Sequence, residues 1–68
     1  MNKAEIIQTK VAERSEGGVF VRLYSVIDIG ENTREWYYVE HEGRGKLTMR
    51  KYSEIRGAVI AYKEKVEN

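Results

Sequence analysis

The stretch Val19-Phe20-Val21-Arg22-Leu23-Tyr24-Ser25-Val26-Ile27-Asp28-Ile29 decides how this chain folds. Side chains along a β-strand alternate between the two faces of its sheet. One face would carry Val19, Val21, Leu23, Ser25, Ile27 and Ile29. The other would carry Phe20, Arg22, Tyr24, Val26 and Asp28. We therefore predict a strand whose first face belongs to the core and whose second face carries the binding chemistry.

Clusters of turn-forming residues at 15–18, 30–33 and 42–45 divide the chain into further β-rich segments. These segments predict strands over about Glu5–Glu13, Arg34–His41 and Lys46–Arg50, in addition to Val19–Ile29. In the first of them, Ile7, Thr9 and Val11 are expected to share a face. Because a glycine pair supplies positive φ angles, we predict a hairpin at Gly17-Gly18, and a similar reversal at Gly43-Arg44-Gly45.

From Tyr52 onward, the apolar residues follow the period of a helix. One stripe contains Tyr52, Ile55, Ala58, Val59, Tyr62 and Val66. Ser53 is the predicted N-cap of this helix. Val21, Leu23 and Ile27 are expected to lie beneath the stripe. The resulting β-β-β-β-α order predicts an α+β fold, with a four-stranded curved antiparallel sheet followed by one C-terminal helix, in a single domain spanning residues 1–68.

The 68-residue chain has no covalent staple, because it contains no cysteine. Its single histidine does not make a metal site, and we predict neither a metal nor another cofactor. A chain this short buries only about 60% of its unfolded surface, so we expect it to gain burial as a homodimer. The C-terminal helix offers a second small patch for this contact, at Gly57, Ile60 and Ala61.

Catalytic and membrane functions find little support in the sequence. Gly43-x-Gly45 is too short for a dinucleotide-binding fingerprint, and His41 is expected to be an exposed edge residue rather than a general base. The N-terminal residues lack the apolar run of a signal peptide, and no segment is long enough to span a bilayer. We therefore predict a cytoplasmic protein that is not an enzyme and has neither a small-molecule substrate nor a membrane partner.

A family resemblance appears in Gly43-Arg44-Gly45-Lys46-Leu47-Thr48-Met49-Arg50-Lys51-Tyr52-Ser53-Glu54-Ile55. This segment resembles the end of PC4-like transcriptional-coactivator domains, where a glycine-and-basic turn leads to a short strand and an aromatic-anchored helix. By this resemblance, Tyr52 takes the place of the helix anchor and Lys46 that of the basic residue beside the last strand. The resemblance implies four curved strands, dimerisation through the helices, binding of single-stranded DNA and a role in transcription regulation.

The leading functional hypothesis is a nucleic-acid-binding module, with single-stranded DNA favoured over RNA. Aromatic side chains on a sheet stack on bases, while basic side chains meet phosphates. The candidate residues are Phe20, Arg22, Tyr24, Arg34, Trp36, Tyr38, Arg44, Lys46 and Arg50. Strand alternation places Trp36 and Tyr38 on one face and Tyr37 on the other. Because the binding face is not the core, substitution of Arg22 or Tyr24 is expected to leave the fold intact.

The alternative is a small protein-interaction regulator or inhibitor of phage or mobile-element type, with exposed aromatics as interface anchors. The net charge of only +1 argues against a general neutraliser of duplex DNA. Glu40 and Glu42 share a strand face and are able to attract a cation. Clustering discriminates the two hypotheses. Nucleic acid is favoured if the basic residues meet Tyr24 on one face, and protein is favoured if the aromatics are neutral and ringed by glutamates.

Overall fold

The computed structural model describes residues 5–67, which form four strands and one helix. The strands are β1 (Glu5–Glu16), β2 (Val19–Ile29), β3 (Arg34–Gly43) and β4 (Lys46–Tyr52), and the helix is α1 (Ile55–Glu67). They pair antiparallel in the order β1-β2-β3-β4, so β1 and β4 are the edges of the sheet. The predicted α+β architecture, four antiparallel strands followed by one helix, is confirmed.

Two tight hairpins join the outer strands to the inner ones. Gly17 and Gly18 have φ angles of 59° and 81°, and Arg44 and Gly45 have φ angles of 53° and 73°. Positive φ at both residues of a two-residue loop is the pattern of a type I′ turn, whose twist matches that of the flanking strands. Both predicted reversals are confirmed, and together with the loop at residues 30–33 they produce the simple meander.

The core lies between one face of the sheet and α1, which packs mainly against β2 and β3. Its buried members are Val21, Leu23, Val39 and Ala58. Ala58 is completely buried, because its small side chain lets the helix backbone approach the sheet closely. The face of β2 predicted to form the core is therefore the face that α1 covers.

A β-bulge corrects the predicted pattern of β1. The register with β2 shifts between Lys10 and Ala12, which leaves Val11 as the additional residue. Val11 is exposed, and Ala12 turns toward the core and packs against its buried residues. The prediction that Val11 shares a face with Ile7 and Thr9 breaks down there, because one extra residue inverts the alternation beyond it.

The start of α1 also differs from the prediction. Tyr52 ends β4, and the helix begins at Ile55, with the Ala58 N–H donating to the Glu54 carbonyl at 3.2 Å. The N-cap position therefore falls on Glu54 instead of Ser53. Ile55 is exposed although it was placed in the apolar stripe.

The helix is shorter than the sheet that it covers. Its 13 residues span about 20 Å, whereas the 11 residues of β2 span about 36 Å. Ile27 therefore lies outside the buried core cluster instead of beneath the helix, and Ile7 and Ile29 are exposed at the same end of the sheet.

Candidate interaction surface

The sheet face that α1 leaves uncovered, which we call the open face, carries the candidate residues of β2 and β3. The β2–β3 register pairs Phe20 with Glu42, Arg22 with Glu40, Tyr24 with Tyr38, Val26 with Trp36 and Asp28 with Arg34. Directly paired residues of antiparallel strands point to the same side of the sheet. The open face thus combines two bands of different character, one ionic and one aromatic.

The ionic band is a network of three carboxylates around one guanidinium. Arg22 Nε donates to Glu13 Oε2 at 2.6 Å, and Arg22 Nη1 donates to Glu40 Oε1 at 2.7 Å and to Glu42 Oε1 at 2.9 Å. The same guanidinium lies 4.9 Å from the centroid of the Phe20 ring. Arg22 is therefore held by three carboxylates and one aromatic ring of its own sheet.

These contacts shift the pKa values of two members of the network. Hydrogen bonds to Glu13, Glu40 and Glu42 raise the pKa of Arg22 further above its ordinary value. The pKa of Glu13 is lowered, mainly by the hydrogen bond from Arg22 and also by that from Lys10, whose Nζ lies 3.0 Å away. Both shifts favour the charged forms that the network requires.

Glu40 is the most deeply placed carboxylate, with only 8% of the residue exposed. A buried carboxylate needs hydrogen-bond donors to replace water. Arg22 supplies the short contact, and the Tyr24 hydroxyl donates to Glu40 Oε1 at 3.5 Å. Glu40 is therefore a structural partner of Arg22.

The aromatic band consists of Tyr24, Trp36 and Tyr38, which are all half-buried. Val26, which pairs with Trp36 on this face, is only 2% exposed although α1 lies on the other side of the sheet. Lys51 Nζ lies 4.8 Å from the Trp36 ring centroid, a cation–π contact that places one cation at the border of the band. Trp36 Nε1 is buried and has no hydrogen-bond partner within residues 5–67.

The remaining basic candidates do not gather around Tyr24. Lys46 and Arg50 lie on the face that α1 covers, since Arg50 pairs with the core residue Val39, and Arg44 lies in the hairpin turn. Arg34 is on the open face but at its far end, where its Nη2 lies 3.6 Å from Asp28 Oδ2. Of the predicted basic set, Arg22 and Arg34 border the aromatics on the open face, Arg22 among three carboxylates and Arg34 beside Asp28.

The edge strand β4 exposes two apolar side chains on the open face. Leu47 pairs with Glu42 and Met49 pairs with Glu40. Their exposed fractions are 59% and 50%, respectively. The open face therefore ends in an apolar border at the free edge of the sheet.

Two other residues of β3, Tyr37 and His41, lie on the covered face. Tyr37 is on the face opposite Trp36 and Tyr38, as strand alternation predicted, and packs against the core; its hydroxyl donates to Glu35 Oε2 at 3.0 Å, which raises the pKa of Tyr37. His41 lies on the interior strand β3 and is half-buried, so the prediction of an exposed edge residue was wrong. Its carbonyl accepts from the Thr48 hydroxyl at 3.5 Å.

Several residues of this surface were not among the predicted site residues. They are Glu13, Glu40, Glu42, Leu47, Met49 and Lys51. The cation that Glu40 and Glu42 attract is the guanidinium of Arg22. These residues could have been identified from the sequence only if the register of β2 with β3 had been known. The length of the loop at residues 30–33 does not by itself determine that register.

Comparison with protein-family models, with curated proteins and with solved structures finds no match for this chain. The PC4-like resemblance therefore stays a prediction. Within residues 5–67, no helix combines the length and the apolar character that crossing a lipid bilayer requires. The same residues include no cluster of three or more histidine or carboxylate side chains arranged to hold a metal ion.

Proposed function

We propose that this chain is a small protein-interaction module that binds its partner through the open face of its sheet. The aromatic band supplies the anchors, and the carboxylates of the ionic band form a polar border. The observation that carries this proposal is that Arg22 is already paired: it makes ion pairs of 2.6 to 2.9 Å with three carboxylates.

A single-strand-binding sheet needs unengaged cations beside its aromatics, because phosphate neutralisation supplies much of the affinity. Arg22 is engaged, and a phosphate approaching it would meet Glu13, Glu40 and Glu42 first. Lys46 and Arg50 lie on the opposite face. Aromatics bordered by glutamates are the arrangement that favours a protein partner.

The aromatic band also suits a protein interface on energetic grounds. Tyrosine, tryptophan and arginine are enriched among the residues that dominate binding energy at interfaces. Tyr24, Trp36 and Tyr38 are half-buried on neighbouring positions of two paired strands, so part of their side-chain freedom is already lost before binding. The exposed side chains of Leu47 and Met49, beside the ionic band at the edge of the same face, add apolar surface for a partner with apolar side chains.

The proposal is tested by affinity capture, with the tagged chain as bait in a lysate of its source organism. The captured partner is then purified, and its complex with the chain is reconstituted. We expect stoichiometric capture of one protein by the wild type and its loss with Tyr38→Glu. Lys63→Glu, at an exposed position of α1, is the control and should retain the partner. Isothermal titration calorimetry with the purified partner should reproduce this order. Equal binding by both variants would contradict the assignment to the open face.

Binding of single-stranded nucleic acid is a second candidate, and Lys51 is the observation that favours it. Its ammonium lies above Trp36 and leaves one cation beside the aromatic band. Fluorescence polarisation with labelled single-stranded DNA and RNA at two salt concentrations tests this function. If it holds, Lys51→Gln should reduce the salt slope by about one unit, whereas Tyr24→Ala should weaken binding with little change in slope. Absence of binding at low salt would reject this candidate.

A further inference from the structure

We infer that the free edge of β4 accepts an extended peptide in which acidic and apolar residues alternate, and that this peptide pairs with β4 as a fifth strand. The inference rests on the proposed protein-interaction function and names the chemistry of the partner. It concerns the edge of the sheet, whereas the aromatic anchors lie on its open face.

The backbone of β4 is available for strand addition. Within the described residues, β4 pairs with β3 on one side and with no strand on the other. Alternate N–H and C=O groups of such an edge point away from the sheet and form a template for another strand. Strand addition of this kind is a recurrent mode of peptide recognition.

The side chains of β4 sort into two chemically distinct rows. Lys46 and Arg50 lie on the face that α1 covers, and Leu47 and Met49 lie on the open face, where Lys51 follows them toward the end of the strand. An added strand places its own alternate side chains beside these rows. Acidic residues would therefore meet the two cations, while apolar residues on the other side would cover the two exposed apolar side chains.

Charge around the edge favours an acidic peptide. β4 contains three basic residues and no acidic one, and Arg44 precedes it in the turn. Among residues 5–67, no ion pair involves Arg44, Lys46, Arg50 or Lys51. Lys65 of α1 lies in the same groove as Arg50, together with Glu64 and Glu67. Arg50 and Lys65 match the two glutamates of this groove in number, so the excess of positive charge comes from Lys46 and Lys51 of the strand and Arg44 of the turn.

A second copy of the chain is a poorer occupant of this edge. When two β4 strands pair antiparallel with Thr48 opposite Thr48, Lys46 of each copy lies opposite Arg50 of the other, and the strand has no acidic residue to offset this. Like charges directly opposite one another destabilise strand pairing. Cations on an edge strand protect it from self-association. This protection does not explain why the same strand exposes the apolar side chains of Leu47 and Met49, each at least half exposed.

A nucleic acid is a poorer occupant for a different reason. Leu47 and Met49 pair across the strands with Glu42 and Glu40, so a phosphate on the open side of β4 would meet apolar and acidic groups along most of the strand and a cation at Lys51. A peptide strand uses both rows of β4 and its backbone. The alternation of cations and apolar residues along this edge is thus matched most completely by an acidic–apolar strand.

The test uses a labelled synthetic peptide of eight residues in which glutamate and valine alternate, measured by fluorescence polarisation with the full chain. We expect Arg50→Glu to weaken binding about tenfold or more, because it replaces an attraction with a repulsion. Lys63→Glu carries the same change of charge on an exposed position of α1 and should bind like the wild type. A lysine–valine peptide should not bind.

Two N-methylated versions of the peptide test strand pairing itself. One is methylated at the glutamates and the other at the valines, so only one of them loses the N–H groups that face β4. We expect one version to lose binding and the other to retain it. Equal affinity of both versions, or equal effects of Arg50→Glu and Lys63→Glu, would overturn the inference. If the wild-type chain captures a partner but does not bind the peptide, the β4 site alone is rejected. If it neither captures a partner nor binds the peptide, the proposed function is rejected as well.

Discussion

The guanidinium of Arg22 connects three strands of this sheet. It joins Glu13 of β1 to Glu40 and Glu42 of β3, across the intervening β2. Removal of the cation would leave Glu40 buried without its strongest donor and three carboxylates close to one another. In contrast to the expectation from the sequence, we therefore expect Arg22 to contribute to folding.

We predict that Arg22→Gln lowers the melting temperature, because loss of one partner of a buried pair leaves the other uncompensated. The double variant Arg22→Gln with Glu40→Gln should recover part of the loss. Thermal unfolding followed by circular dichroism measures both effects. Arg34→Gln is the control, since Arg34 is exposed and its contact with Asp28 is longer, at 3.6 Å. Equal melting temperatures for Arg22→Gln and Arg34→Gln would contradict this role.

The lowered pKa of Glu13 predicts a loss of stability in acid. Its pKa in the folded protein lies below the ordinary value of 4.5, so this stabilisation is fully present above 4.5 and is lost as pH falls through the folded pKa. Between about pH 6 and pH 3, the melting temperature of Glu13→Gln should fall less than that of the wild type. Glu31→Gln, in the exposed loop after β2, should behave like the wild type. Identical pH profiles for Glu13→Gln and the wild type would argue against the prediction.

At the scale of the elements, α1 and β2 hold the molecule together. Leu23 of β2 is 4% exposed and belongs to the buried cluster beneath Ala58. The β4 edge contributes little to this core, because all of its residues except Tyr52 are exposed. The same substitution should therefore have very different effects on the two strands.

We predict that Leu23→Ala reduces the free energy of unfolding by about 2–5 kcal/mol, since it removes buried methyl groups and leaves a cavity. Leu47→Ala, on the exposed edge, should change it by no more than about 0.5 kcal/mol. Urea denaturation of the two variants provides the comparison. A smaller effect at Leu23 than at Leu47 would show that the faces of the sheet are reversed.

Gly57 offers a stabilising change within α1. A Cβ atom at this position would lie 3.5 Å from Tyr52 Cδ2, an ordinary van der Waals contact. Gly57→Ala should therefore stabilise the protein by about 0.5–1 kcal/mol, because alanine loses less backbone entropy in a helix. Gly45→Ala is the matched comparison and should destabilise by about 1–2 kcal/mol, because φ at Gly45 is +73°. Urea denaturation that gives both changes the same sign would refute this reasoning.

At the scale of the whole molecule, the sheet extends well beyond its single helix. The principal dimensions are 47 × 23 × 15 Å, and exposed isoleucines lie both at the uncovered end and on α1. The helix patch predicted for dimerisation is partly occupied, because Ala61 packs against the core and Gly57 faces Tyr52. Ile60 remains 53% exposed and is the part of the patch that is open to a second copy.

We predict a homodimer at micromolar concentration, formed through this side of α1, because so thin a core gains burial by association. Sedimentation equilibrium should give about twice the chain mass of 7.9 kDa. Ile60→Glu should weaken the association more than the control Glu64→Lys. A single species of 7.9 kDa well above micromolar concentration would reject the dimer.

Much of the fold was predictable because it depends on local patterns. Alternation along β2 identified the face that meets α1, and the glycine pair at 17–18 identified a turn with positive φ. The helical period identified Ala58 and Tyr62 as core residues. The bulge at Val11 was not predictable in this way, since an extra residue is visible only against a partner strand.

By itself, the sequence determined the order of the elements, the hairpins and the covered face of β2, because these depend on neighbours within a few residues. The tertiary structure alone decided which charges meet. Arg22 and Glu42 are 20 residues apart in the chain, and the register of β2 with β3 brings them to 2.9 Å. The register of β3 with β4 places Lys46 and Arg50 on the face opposite to that of Trp36 and Tyr38. A shift of one residue in either register would have reversed the corresponding outcome, because successive residues along a strand lie on opposite faces.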